Sequence, residues 1–164
     1  MTYYLRLLGV GLLMIGAMLI CRGYESYLKR RLAELRGLVS LISHAEGKIS
    51  GFLSYGSELW KDFRDDALEK CGLLQGLRGG ESLHSAFASS AGKMSISRSI
   101  SERLTAEFSK LGRRDKEGEL SLLSSIREGV SAELDAEGGE AEKNIKVARA
   151  LLFGGALAIG IMVM

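Results

Sequence analysis

The sequence predicts an all-α protein: a small helical bundle flanked by N- and C-terminal transmembrane helices. Three observations lead there. The 164-residue chain has no proline, which favours long helices over a turn-rich β fold. Its charges are confined to the middle: Leu7–Cys21 and Ala150–Met164 contain no Asp, Glu, Lys or Arg. Between those ends the apolar residues recur at i, i+3 and i+4, the spacing of a helix with one buried face.

The first apolar run, Leu7–Cys21, is shorter than the roughly 20 residues of a spanning helix. Tyr3, Tyr4 and Leu5 extend it, and Arg6 and Arg22 can snorkel at its ends. Eight Leu, Ile or Val residues between Leu7 and Ile20 contribute about −0.5 kcal/mol each, roughly −4 in all. A single Arg is a poor n-region, and no small-residue cleavage site follows, so an uncleaved anchor is expected over a signal peptide. The second run, Ala150–Met164, carries fewer large apolar residues. Its spacings Gly154/Ala158 and Ala156/Gly160 suit close packing of membrane helices. The expected organisation is a transmembrane helix over residues 1–22, a helical domain over 23–149 and a second transmembrane helix over 150–164.

Basic residues orient the chain. Arg22, Lys29, Arg30, Arg31 and Arg36 follow the first run, and Lys143, Lys146 and Arg149 precede the second. The positive-inside rule places the middle in the cytoplasm and both termini outside.

In the middle, Tyr24, Leu28, Leu32, Leu35 and Ile42 continue the first helix to about His44–Gly47. A second helix is expected through Leu53, Leu59, Trp60, Phe63 and Ala67, with further turns over Leu68–Leu77. Gly79–Gly80 break the chain, and Leu83, Ala86 and Phe87 mark a short helix after Ser82. Ser99 and Glu102 fit a capping box, so the next helix should start near Ile100 and end at Gly112. Asp115 reads as the N-cap of the last helix. Its stripe runs through Leu120, Leu123, Ile126, Val130 and Leu134 toward Leu152, with a kink expected at Gly138–Gly139.

Little here suggests chemistry. The chain holds 22 Lys and Arg, one of them Arg6, so the middle has 21 basic against 20 acidic residues. That near balance argues against nucleic acid. Cys21 and Cys71 are too few for a disulfide framework or a zinc site. His44 and His84 sit in no metal-ligand pattern, and no metal or cofactor is expected. Ser90-Ala91-Gly92-Lys93 matches the S-x-x-K string of serine acyl-enzymes, but the accompanying elements are missing. Asp65/Asp66 and the acidic run Glu133–Glu142 read as solvated helix faces. A non-enzymatic protein is therefore expected, with no small-molecule substrate. The candidate contact surface is Arg113, Arg114, Asp115 and Lys116, where a turn projects charge.

Two segments carry a resemblance: Gly79-Gly80-Glu81-Ser82-Leu83-His84-Ser85-Ala86-Phe87, and Leu111-Gly112-Arg113-Arg114-Asp115 opening a long helix that passes Lys143-Asn144 into the Gly-rich end. With the N-terminal anchor, this pattern resembles the stage III sporulation protein AB family of endospore-forming bacteria over nearly the full length. The chain departs from the family at Gly51-Phe52-Leu53, where a Thr-Pro-Leu turn is frequent, and at Arg114, where a small hydroxyl residue is usual.

The resemblance implies a fold like the cytoplasmic domain of the type II secretion and type IV pilus platform protein. It implies a platform in the mother-cell membrane, within the channel complex joining mother cell and forespore. Its implied partners are the lipid bilayer, a secretion-type ATPase and the other channel proteins. The alternatives are a membrane-anchored cell-envelope serine hydrolase using Ser90 and Lys93, and a single-span adaptor with a docked C-terminal tail.

Overall fold

The computed structural model describes the backbone of residues 2–52 and 56–163, and their side chains except at 2–7, 52, 56, 57, 142, 156, 157 and 160–163. Six α-helices and one 3₁₀ turn cover these residues: α1 (Thr2–Phe52), the 3₁₀ turn (Gly56–Trp60), α2 (Asp66–Lys70), α3 (Leu73–Arg78), α4 (Leu83–Ala91), α5 (Arg98–Phe108) and α6 (Lys116–Val163). No strand occurs among the described residues. The chain forms two compact units. One comprises Arg30–Ala136, and the other comprises Met1–Lys29 with Glu137–Met164.

The Arg30–Ala136 unit holds the core. The inner face of α1 supplies Leu35, Leu38, Leu41, Ile42 and Ala45, all essentially fully buried. Phe87 of α4 and Phe108 of α5 meet edge-on with ring centroids 5.1 Å apart, the arrangement aromatic quadrupoles favour. The part of α6 in this unit adds Leu123, Ile126 and Val130. Each buried Leu, Ile, Val or Phe side chain contributes about 1.5–3 kcal/mol.

Short helices fill the space between α1 and α6 because their sequences carry a stop every few residues. Asp65 caps α2, its carboxylate accepting from the amides of Ala67 and Leu68 at 3.0 and 2.9 Å. Gly72, at φ 89°, turns the chain between α2 and α3. Arg78 then closes the segment, its guanidinium donating to Glu69 at 2.8 Å and to the Phe63 carbonyl at 3.0 Å.

Polar staples set the register of α1 in this unit. Glu34, only 1% exposed, takes the Arg30 guanidinium at 3.0 Å and the backbone amide of Ser95. Arg30 also donates to the Lys93 carbonyl at 2.9 Å. A buried carboxylate survives only with such partners, so the α4–α5 turn is pinned to α1. Gly37 allows a close approach on the same helix. A Cβ there would lie 2.8 Å from Asp65 Oδ1 and 2.9 Å from Leu68 Cγ.

Several expected boundaries shift. Gly47 does not end α1, which continues to Phe52, because Ile49 keeps its apolar face buried beyond that point. The expected second helix is instead a 3₁₀ turn, an irregular stretch and a helix beginning at Asp66. The Asp65 cap competes with helix there, and Leu53 lies outside the described residues. Ser97, not Ser99, caps α5, its hydroxyl accepting from Ile100 N at 3.4 Å. That helix ends at Phe108, and Gly112 lies in the following turn. The α6 helix runs unbroken through Gly138 and Gly139.

In the other unit, the apolar part of α1 is exposed. Leu8, Leu12, Ile15, Leu19 and Ile20 each show 59–65% of their surface. A contiguous apolar face of this kind marks contact with something other than water. Among the described residues, one helix, α1, is long and apolar enough to cross a membrane.

Candidate functional site

The turn joining α5 to α6 is built around a carboxylate. After α5, the amide of Leu111 donates to the Phe108 carbonyl at 3.2 Å. Gly112 follows at φ 79°, a conformation open to glycine at little cost. Asp115 then caps α6 as the sequence indicates: its Oδ1 accepts from Gly118 N at 3.3 Å, and its carbonyl from Glu119 N at 2.9 Å. Glu119 is 4% exposed. Its Oε1 reaches back to accept the amides of both Arg113 and Arg114 at 3.0 Å. These charge-assisted bonds hold the turn against the first coil of α6.

The four sequence candidates separate in the structure. Arg113 and Arg114 are exposed on the bend, the latter with its Cβ and Cδ over Gly118. Asp115 is occupied as a cap. Lys116 is half-buried and turned away, donating to the Ser50 carbonyl at the end of α1 at 2.8 Å. The residue missed from sequence is Glu119. Its signal is phase: it falls at the position preceding Leu123, Ile126 and Val130 on the buried stripe.

Two cavities flank this turn. A small apolar one of about 130 Å³ lies beneath it, among Ala45, Ile49, Trp60, Leu111 and Leu123, with Glu119 at its edge. A more polar notch of about 290 Å³ opens between the start of α4 and the turn, lined by Ser82, Leu83, His84, Phe108, Ser109, Leu111 and Arg113. The fold thus brings together the Ser82–His84 and Leu111–Arg113 portions of the two segments singled out in the sequence.

The remaining candidates have structural partners. His44 Nε2 lies 3.0 Å from the Leu59 carbonyl, and its ring packs 5.3 Å from that of Phe63. Ser90 is buried, its hydroxyl donating to the Phe87 carbonyl at 3.1 Å, while Lys93 is exposed. Cys71 is fully buried, its Sγ donates to the Leu68 carbonyl, and burial pushes the thiol pKa up. Glu133 of the acidic run pairs with Arg103 at 3.2 Å. Among the described residues, no group of three or more His, Cys, Asp or Glu could hold a metal ion.

In the unit of residues 1–29 and 137–164, Glu25 bridges the two helices. It accepts from Lys29 at 2.9 Å and from Arg149 at 2.7 Å. Those bonds, Lys29 first, hold its carboxyl below the usual carboxylate range. Beyond this pair, Leu12, Leu13 and Ile20 share an apolar groove of about 630 Å³ with Leu151, Leu152 and Ile159. Gly155 lines that groove. Gly154 and Ala158 are exposed, and the side-chain positions of Ala156 and Gly160 lie outside the described residues.

Comparison with known proteins adds the family. No curated protein and no solved structure matches the chain. The family model for stage III sporulation protein AB matches residues 6–164. The chain, a sporulation-related protein, belongs to the stage III sporulation protein AB family.

Proposed function

We propose that this chain is a non-enzymatic membrane platform in the channel complex between mother cell and forespore. In this reading residues 1–22 and 150–164 both cross the mother-cell membrane. Residues 23–149 form a cytoplasmic helical domain similar to that of the secretion and pilus platform protein. The domain couples a secretion-type ATPase to channel proteins in the bilayer.

One observation carries the two-span reading. Arg149, the last charge before the C-terminal apolar stretch, pairs with Glu25, just past the N-terminal one. Leu151 and Ile159 then share a groove with Leu12 and Ile20. An N-terminal helix that enters a bilayer thus has the C-terminal stretch packed beside it, with the charged pair at one boundary. Apolar side chains exposed on such a pair suit lipid contact. The basic residues near both spans favour the cytoplasmic side for the middle.

Cysteine-accessibility mapping of both termini and the middle in intact sporulating cells tests the topology. Labelling at Thr2 and Met164 from outside, with Ser57 and Ser125 protected, is expected. Labelling of the middle from outside overturns the platform. Capture of the ATPase by the full chain in detergent tests the coupling role, and its absence with the chain folded removes that role.

A further inference from the structure

We infer that the notch between the start of α4 and the α5–α6 turn is a docking site for an acidic segment of a protein partner. A carboxylate of that segment would pair with Arg113, and an apolar neighbour would rest on Leu83 and Leu111. The inference deepens the platform reading and rests on it for the identity of the partner.

An arginine without a carboxylate partner among the described residues lines this cavity. Arg30, Arg78, Arg103 and Arg127 of the same unit each pair with a carboxylate at 2.8–3.2 Å. Among the described residues, no carboxylate pairs with the guanidinium of Arg113, a residue that lines the notch. Of the acids that follow it, Asp115 caps α6 through Gly118 N, Glu119 holds the Arg113 and Arg114 amides, and Glu117 is exposed. Arg113 therefore offers a cation whose backbone is fixed and whose charge is unspent.

The remaining lining fits the same occupant. His84, Ser82 and Ser109 add polar groups, and Phe108, Leu83 and Leu111 form an apolar floor. The volume, about 290 Å³, sits at the lower limit of ligand pockets, about 300–1,000 Å³. It suits one or two side chains of a docking segment better than a nucleotide. Guanidinium is the cation best matched to a carboxylate, through paired N–H donors.

The test uses the full chain in nanodiscs of zwitterionic lipid and a short fluorescein-labelled peptide, Glu-Glu-Leu-Glu-Glu, read by anisotropy. Binding is expected to weaken about fivefold in Arg113→Gln, the upper end for a partly exposed ion pair. It should weaken similarly when Gln replaces Glu in the peptide, and hold in Arg98→Gln, whose guanidinium already pairs with Glu102. Equal binding of the Glu and Gln peptides, or of wild type and Arg113→Gln, overturns the proposal. Full competition by inorganic phosphate at similar concentration also overturns it, by marking a simple anion site. The two readings separate cleanly. Peptide bound without any ATPase captured sinks the platform alone, whereas ATPase captured equally by wild type and Arg113→Gln sinks the notch alone.

Discussion

The Glu119 carboxylate accepts the backbone amide of Arg113 at 3.0 Å, so an acid buried in α6 fixes where a solvent-facing arginine leaves the chain. The same oxygen accepts Arg114 N. Removing it strands two amides beside an apolar cavity. Glu119→Ala is expected to cost about 2–3 kcal/mol and Glu119→Gln, which keeps an acceptor, about 1 kcal/mol. Thermal unfolding of the full chain in detergent checks the order. Equal stability of wild type and Glu119→Ala would refute the clamp.

Glycines of α1 should respond oppositely to alanine. At Gly37 a Cβ meets Asp65 and Leu68 below 3.0 Å, whereas at Gly47 nothing lies within 4 Å. Gly37→Ala should destabilise by about 1–3 kcal/mol through overpacking. Gly47→Ala should stabilise by up to about 1 kcal/mol through helix propensity. Melting temperatures moving in the same direction would contradict the packing described for Gly37.

The Glu25 pair predicts a pH dependence. Its carboxyl titrates lower in the folded chain than in the unfolded one, through Lys29 and Arg149. Its contribution is therefore complete above the unfolded pKa and lost as pH falls through the folded value. The melting-temperature gap between wild type and Glu25→Gln should be constant near neutrality and shrink in the acidic range. A gap that widens on acidification would reverse the sign and defeat the assignment.

Ser90→Ala should leave sporulation intact and stability within about 0.5 kcal/mol, since the hydroxyl is used only on a carbonyl of its own helix. Spore counts from a strain carrying the variant check this. A severe sporulation defect with the protein still folded would revive the hydrolase alternative.

Local signals in the sequence were legible where one residue type has one strong use. Asp115 reads as a cap, and Gly79–Gly80 as a break, because a short carboxylate side chain and glycine satisfy helix ends at low cost. Gly47 misleads because tertiary burial of Ile49 outweighs a propensity loss of about 1 kcal/mol. Ser99 misleads because Ser97, two residues earlier, offers the same hydroxyl. Glu119 is hidden because an acid in the first turn of a helix ordinarily complements the dipole from the surface. The Glu25–Arg149 pair joins residues 124 positions apart, and no local pattern encodes that separation.

Both native thiols are out of reach: Cys21 is 6% exposed, and Cys71 is fully enclosed with its ionisation suppressed. Thiolate, not thiol, reacts with maleimides. The wild-type chain consequently supplies its own dark background for site-directed labelling. Single cysteines can be introduced along it and read directly, with neither native residue replaced and the α1 and α2–α3 packing left as it is.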